Sequence, residues 1–238
     1  MRRDSLYFRS GKLRTGRIFI TVFIIEIAIY LVVSSIEFND PQLLSQFESQ
    51  QSSIDSLSIA GMFISIFPHN LFAATLEVIP FIGQVFFLIS NVETAMIISL
   101  EGGSLHVNGL FIFLSLAIFP HTWLELPSYA IATTSSIALI YGLLKRGYNR
   151  KEAGIQFILF YLLLALELGV AGLFESIEIY MERTYPSPQN VTYPLLLWIP
   201  AIPLLYLLFR LFRMVDRFSQ DGGDNKGIPD DPPDDDFL

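Results

Sequence analysis

The stretch Phe119–Pro127, which reads FPHTWLELP, decides how this chain can fold, because it lies inside an apolar run from Gly109 to Leu144. Pro120 and Pro127 have no backbone N–H, so neither can donate to the carbonyl four residues earlier in a helix. We therefore predict a helix that is broken at both prolines. Irregular backbone at membrane depth is tolerated only where protein buries it or where it lines a wet cavity. The stretch is thus predicted to be an interior junction of a membrane protein.

The composition is that of a membrane protein. The chain has 238 residues, of which 52% are hydrophobic and only 16% are charged, whereas a soluble domain is about a quarter charged. Its apolar residues come in long blocks, and about 20 such residues in a helix span a bilayer. The length allows about six spans with short loops. We predict an all-α fold, a polytopic transmembrane helical bundle without a large soluble domain.

Positive charge is concentrated in three clusters, at residues 2–17, 145–151 and 210–217. The positive-inside rule places all three in the cytoplasm. We predict a multi-pass protein of the cell membrane with both termini cytoplasmic. It would comprise a basic N-terminus (1–17), a transmembrane helical domain (18–213) and a disordered acidic tail (214–238). The sequence has no basic stripe with interleaved aromatic residues, which argues against nucleic-acid binding.

The basic clusters also limit the number of crossings, because an even number must separate clusters on the same side. Predicted spans at 18–36, 57–79 and 81–100 leave residues 101–108 outside, so the run 109–144 must cross once. As one straight helix that run would be about 54 Å long, against a hydrocarbon core of about 30 Å. With later spans at 155–179 and 194–212, we predict six spans and one re-entrant or broken helix at Phe119–Pro127. The polar segments at 37–56 and 180–193 are predicted to be outside loops.

Carboxylates and histidines lie in the apolar segments, although no Lys or Arg occurs between Arg17 and Lys145. These groups must be neutral, hydrogen-bonded, paired with histidine or bound to a cation. In a helix, His121 and Glu125 would share a face at i, i+4 and could touch. Glu77, Glu93 and Glu178 are interpreted as residues near the membrane interfaces. We predict a buried polar junction, structural or chemical in role, whose candidate residues are Pro120, His121, Glu125, Pro127, Asn70, Asn91 and Glu175.

No catalytic or metal-binding signature accompanies these residues. The pattern His121-x-x-x-Glu125 differs from the zinc motif His-Glu-x-x-His, and the chain has three histidines and no cysteine. A serine nucleophile elbow and a phosphate-binding glycine loop are also absent from the sequence. We predict a non-enzymatic protein with no catalytic residue, no metal site and no cofactor.

The segment from Ile118 to Pro127 resembles the stage II sporulation protein M family of integral membrane proteins. That family carries Pro-His-Gly, two apolar residues and then Glu-Leu-Pro-Ala within a membrane segment. Here Thr122 replaces the glycine and Ser128 replaces the alanine. The resemblance covers roughly residues 57–179. Three further residues resemble polar positions of the family: Asn70, Asn91 and Glu175. Glu175 ends the run Ala171–Glu175, which resembles a late segment of the family.

The resemblance implies a non-enzymatic scaffold or positioning factor for envelope-associated partners. In spore-forming bacteria the family anchors and positions peptidoglycan hydrolases during engulfment. Expected partners are the lipid bilayer and membrane or envelope proteins, and homo-oligomerisation stays open. The alternative is a permease-like subunit with an intramembrane proton- or cation-binding site at His121, Glu125 and Glu175. A permease needs a water-accessible cavity that reaches the motif, whereas a scaffold needs a closed polar cluster.

Overall fold

Helices follow one another along the chain after a short hairpin. The computed structural model describes residues 6–9, 12–145 and 150–221. Strands β1 (Phe8–Arg9) and β2 (Lys12–Leu13) pair antiparallel. The helices in these residues are α1 (Thr15–Ser34), α2 (Pro41–Asp55), α3 (Ile59–Glu77), α4 (Gly83–Ser104), α5 (Gly109–Leu116), α6 (Pro120–Leu144), α7 (Arg150–Thr184), α8 (Gln189–Thr192) and α9 (Trp198–Asp221).

Six helical segments of the described residues are long and apolar enough to cross a membrane. Five of them are α1, α3, α4, α6 and α7, and the sixth runs from Gln189 to Arg217 and contains most of α9. The predicted all-α transmembrane bundle is therefore confirmed. Large apolar side chains point outward from it, including Ile24, which is 61% exposed, and Ile202, which is 62% exposed. Such a surface is stable in hydrocarbon and would be unfavourable in water.

The apolar run 109–144 forms two helices, as the predicted broken helix requires. α5 is only eight residues long and ends at Leu116, and α6 begins at Pro120. Proline suits this first helical position, because its missing N–H has no partner there in any helix. The run thus divides into a short entry helix and one full span.

Pro127 does not interrupt the helix, so the predicted second break is wrong. α6 continues without interruption from Pro120 to Leu144 with Pro127 inside it. A proline removes one backbone hydrogen bond and crowds the preceding turn, but neighbouring helices in a membrane protein can hold the helix together. The predicted break is therefore confined to residues 117–119, at the N-terminal edge of the motif.

α6 is the central helix of the bundle. Residues 130–136 are all buried, and six of these seven side chains are Ala, Thr or Ser. Small side chains let neighbouring helices approach closely, which is a common basis of packing in membranes. α6 packs along α7, and Leu124 of α6 belongs to the same apolar core as Phe160 and Leu164 of α7. The motif is therefore at the start of the most enclosed helix.

The segment 37–56, predicted to be a loop, contains the helix α2. The Asp40 carboxylate accepts a hydrogen bond from the Leu43 N–H at 3.0 Å, and Pro41 is the first helical residue. An acidic N-cap followed by proline is a helix-start signal that the polar composition of the segment obscured. All residues of α2 are exposed or half-buried, so this helix lies on the surface of the bundle.

The segments that carry the three basic clusters meet at one end of the bundle. The Gly16 N–H at the start of α1 donates to the Asp216 carboxylate of α9 at 3.2 Å. Thr15 also donates to Asp216. The Phe8 ring of the hairpin packs against Tyr141 near the end of α6, with ring centroids 5.4 Å apart. This arrangement agrees with the even number of crossings that the charge pattern requires.

Two predicted boundaries move because helices extend further than hydropathy suggests. α7 continues to Thr184, which is five residues beyond the predicted span. α9 continues to Asp221, so residues 214–221 are helical and do not belong to a disordered tail. The remainder of the predicted acidic tail lies outside the described residues.

Gly109 fixes the start of α5 and provides a stability test. A Cβ atom at this position would lie 2.5 Å from the Ser99 Cα and 2.6 Å from the Ser34 carbonyl oxygen. We expect Gly109→Ala to lower the free energy of unfolding by about 1–3 kcal/mol, because α1 and α4 would have to move apart. The measurement is denaturation in mixed micelles followed by circular dichroism.

Gly154→Ala is the matched control, because a Cβ atom there would have nothing within 4 Å. Alanine in a helix interior is favoured over glycine by up to about 1 kcal/mol, so this variant should be as stable as the parent or slightly more so. Equal stability of the two variants would contradict the close packing at Gly109.

Candidate functional site: a polar junction beside the helix break

Side chains donate hydrogen bonds to the three carbonyls at the break between α5 and α6. The Thr122 hydroxyl donates to the Leu116 carbonyl at 2.8 Å. The Trp123 indole donates to the Ala117 carbonyl, and the Trp198 indole of α9 donates to the Ile118 carbonyl, each at 2.8 Å. Both tryptophans of the chain are used in this way. The two indoles supply donors that hydrocarbon cannot supply. The Thr122 hydroxyl is a second donor to the Leu116 carbonyl, which also accepts from the Phe119 N–H at 3.0 Å.

Thr122 stands where the sporulation-M motif has glycine. Its hydroxyl bonds to the very carbonyl that Pro120 cannot reach. The side chain is buried, at 7% exposure. Threonine therefore does not prevent the bend at this position, and its hydroxyl adds a second hydrogen bond to a carbonyl that also accepts from the Phe119 N–H.

His121 contacts α7 as well as its neighbour Thr122. Its Nδ1 atom forms a hydrogen-bonded ion pair with the Glu178 carboxylate. Its Nε2 atom is 3.3 Å from the Thr122 hydroxyl. The side chains of His121 and Glu178 are 14% and 3% exposed. The predicted contact with Glu125 at i, i+4 is not the bond that His121 makes, because α7 runs antiparallel beside α6 and offers Glu178 at the same level.

Glu125 is held by an asparagine and a tyrosine. The Asn70 side-chain amide of α3 donates to its Oε1 atom at 3.0 Å, and the Tyr129 hydroxyl donates to the same oxygen at 2.9 Å. Asn70 is 9% exposed. Glu175 lies on α7 close enough to His121, Glu125 and Glu178 to interact with them electrostatically. α3, α6 and α7 therefore meet at one cluster of polar side chains, which we call the polar junction: Asn70, His121, Glu125, Tyr129, Glu175 and Glu178.

Two of the predicted residues lie apart from these contacts. The Asn91 amide donates to the Phe87 carbonyl of its own helix at 2.7 Å, and its Oδ1 atom has no hydrogen-bond partner among the described residues. Pro127 borders a cavity of about 150 Å³ together with Glu167 and six apolar side chains of α1, α6 and α9. Asn91 is thus buried without joining the polar junction.

Further buried carboxyl groups extend from the polar junction towards α1 and α4. Glu77 is 1% exposed and its Oε1 atom accepts from the Ser90 hydroxyl at 2.9 Å. Glu26 is fully buried, and neither of its carboxyl oxygens has a hydrogen-bond partner among the described residues. Glu77 and Glu125 are close enough to Glu26 to interact with it electrostatically. The core therefore carries several carboxyl groups and one imidazole, so these carboxyl groups cannot all be ionised at once.

Sequence reasoning overlooked Glu77 and Glu178, which it placed near the interfaces. A signal for Glu77 was available, since the buried residues of α3 follow a helical repeat of about four: Met62, Ile66, Asn70, Ala74 and Glu77. Asn70 and Glu77 thus share the inward face. The partner of His121 had no such signal, because Glu178 is 57 residues away in the chain.

The geometry gives the polar junction few means for chemistry. In the part of the chain that the structure describes, no group of three or more His, Cys, Asp or Glu residues could hold a metal ion. The groove on α4 beside Glu93 and the cavity beside Pro127 are lined by other side chains than His121, Glu125 and Glu175. His121 instead bonds to Glu178, and Glu125 to Asn70 and Tyr129. The Glu178 Oε1 atom has no hydrogen-bond partner among the described residues.

Comparison with known proteins adds one finding. The family model described as stage II sporulation protein M matches residues 18–177, which include α1 to α6 and most of α7. The chain belongs to this family. It is thus a multi-pass membrane protein of the sporulation-M type, and every residue of the polar junction except Glu178 lies within the matched region. No curated protein and no solved structure matches the chain.

The pair His121–Glu178 gives a test of coupling across the junction. We expect His121→Phe to lower the free energy of unfolding by about 3–5 kcal/mol, because it leaves the Glu178 carboxyl buried without its partner. Adding Glu178→Leu should recover much of this loss. The measurement is a double-mutant cycle from denaturation in mixed micelles. If the two single losses simply add in the double variant, the pair is not coupled.

Proposed function

We propose that this chain is a non-enzymatic membrane scaffold that positions envelope-associated partner proteins. The observation that carries the proposal is the closed polar junction, in which His121 is paired with Glu178 and Glu125 is held by Asn70 and Tyr129. Such a cluster ties α3, α6 and α7 together by internal bonds. A rigid bundle of this kind suits a protein that presents a surface, and membership of the sporulation-M family supports the same conclusion.

The surface that we assign to partner binding is α2 with its neighbouring loops. α2 lies between the end of α1 and the start of α3, opposite the end where α1 and α9 meet at Asp216. If the basic clusters face the cytoplasm, α2 faces the exterior of the cell membrane. Residues 37–56 carry four carboxylates and no Lys or Arg. The expected partner therefore presents a basic surface.

Photocrosslinking in native membranes tests this assignment. A photoreactive amino acid at the exposed positions Gln46 or Gln50 should crosslink an envelope-associated protein that mass spectrometry identifies. The matched control is Ile202, which is equally surface-exposed but points outward from an apolar span, and it should crosslink lipid only. Crosslinks to the same protein from all three positions, or to none from α2, would argue against the scaffold.

A second candidate function is a permease-like subunit with an intramembrane proton- or cation-binding site. The observation that favours it is Glu26, a fully buried carboxyl group whose two oxygens have no hydrogen-bond partner in the described part of the chain. Intramembrane carboxyl groups of this kind mark ion and proton pathways in many transporters. Glu77 and Glu125, which interact electrostatically with Glu26, would complete such a pathway.

Flux measurements separate the two functions. For a scaffold, the purified full chain in vesicles containing a pH-sensitive dye should pass protons no faster than empty vesicles across an imposed gradient. For a permease, flux should exceed this baseline and fall by at least tenfold in Glu26→Gln and Glu125→Gln, which keep the shape of the side chain but cannot ionise. Gln84→Glu serves as the control for an added carboxyl group outside the proposed pathway.

A further inference from the structure

Two ionisable side chains face outward near the middle of membrane spans. His69 of α3 and Glu93 of α4 are both exposed. The other acidic and histidine side chains of the described spans are buried or half-buried, or they lie close to a helix end. Neither His69 nor Glu93 forms an ion pair or a side-chain hydrogen bond with another described residue.

The two side chains lie at similar depth. α3 and α4 are consecutive antiparallel helices joined by a short turn at residues 78–82. His69 lies eight residues before the turn and Glu93 ten residues after the first residue of α4, which corresponds to about 12 Å and about 15 Å along the helices. Ser90, three residues before Glu93, bonds to Glu77 of α3, so Glu93 lies on the side of α4 that borders α3. An acid and a base thus share one outer face.

A position against lipid is unfavourable for both groups. Charged side chains at the centre of a bilayer cost at least a few kcal/mol each, and in known membrane proteins they nearly always face protein or a water-filled cavity. Glu93 and His69 facing lipid directly would therefore be an exception among membrane proteins. Burial of this face against another protein surface removes the cost, provided that the surface supplies a base for Glu93 and an acid for His69.

We propose that the outer face of α3 and α4 is a self-association surface whose occupant is a second copy of this chain. A two-fold axis along the membrane normal keeps both copies at the same depth and places α3 of one copy against α4 of the other. His69 of each copy then meets Glu93 of the other, which gives two equivalent pairs. The face is self-complementary because it carries both partners of the pair.

The shape of the face agrees with this arrangement. A shallow groove of about 450 Å³ on α4 is lined by Leu88, Ile89, Val92, Glu93 and Met96. On α3, Phe72 projects outward at 64% exposure, about one helical turn from His69. When His69 lies opposite Glu93 in an antiparallel pairing of α3 with α4, Phe72 lies near Ile89. An exposed aromatic ring on one helix thus meets an apolar groove on the other.

Disulfide crosslinking tests the register, since the chain contains no cysteine of its own. Two differently tagged full-length chains are co-reconstituted in vesicles, one with Phe72→Cys and one with Ile89→Cys, so that any mixed disulfide joins two copies. We expect an efficient mixed disulfide on oxidation. The matched control pair is Ile24→Cys with Leu207→Cys, on α1 and α9, which are 61% and 51% exposed and should crosslink poorly. Equal crosslinking of both pairs would mean random collision and would overturn the proposal.

A dilution experiment tests the pair of His69 and Glu93. Copies labelled for energy transfer are diluted into lipid, and the loss of energy transfer reports their dissociation. His69→Leu and Glu93→Leu each remove both pairs of the dimer and should weaken association about 10- to 1,000-fold. The double variant should be little weaker than either single variant, and the exchange His69→Glu with Glu93→His should restore association. Leucine is ordinary on a lipid-facing surface, so these variants should keep the monomer fold, checked by circular dichroism.

Two results would overturn the inference. The parent chain could stay monomeric at every protein-to-lipid ratio, which would leave the face to lipid or to a different protein. Alternatively, all variants could associate as the parent does, in which case the copies meet through another surface. If His69 and Glu93 pair between copies, we expect neither of these results. The mixed disulfide should then form, and the variants should associate more weakly than the parent.

Discussion

Hydrocarbon offers no hydrogen-bond donor, and this constraint organises the helix break. Pro120 cannot continue the backbone ladder, and three side chains donate to the carbonyls of residues 116–118: Thr122, Trp123 and Trp198. Two of these donors come from the helix that the proline begins, so the break supplies most of its own repair. The third comes from α9, beyond the residues that match the family model. The last helix of the bundle is thus bonded to the motif.

A shortage of basic side chains is a second constraint on how the helices pack in the interior. Between Arg17 and Lys145 the sequence has no Lys or Arg, so the acidic groups of α1, α3 and α6 have only histidine, amide and hydroxyl partners there. Asn70, Tyr129 and Ser90 supply neutral donors to Glu125 and Glu77. Bonds of this kind require a particular rotation and height of each helix. The polar junction therefore specifies the relative positions of α3, α6 and α7 more than a purely apolar core would.

The sequence predicted what depends on local pattern. Apolar blocks gave the spans, charge parity required that the run 109–144 cross once, and proline gave the break at Pro120. The features that the sequence did not predict depend on contacts between residues far apart in the chain, or on packing that outweighs a local preference. Pro127 was read as a second break, yet packing around α6 holds the helix together. Asn91 bonds within its own helix, and the partner of His121 could not be inferred because helix rotation and height are set by packing.

The positions of the histidines then bear on how the acids are arranged. The chain has three histidines. His106 has a positive φ of 58° and lies in the turn that precedes α5, away from the spans. His121 balances Glu178 inside the bundle, which leaves His69 as the base for a carboxyl on the outer surface. Glu93 is the acid at that depth on the same face. One His–Glu pair joins helices within a copy, and the proposed contact between copies would use the same chemistry on the outer surface, where His69 and Glu93 have no partner among the described residues.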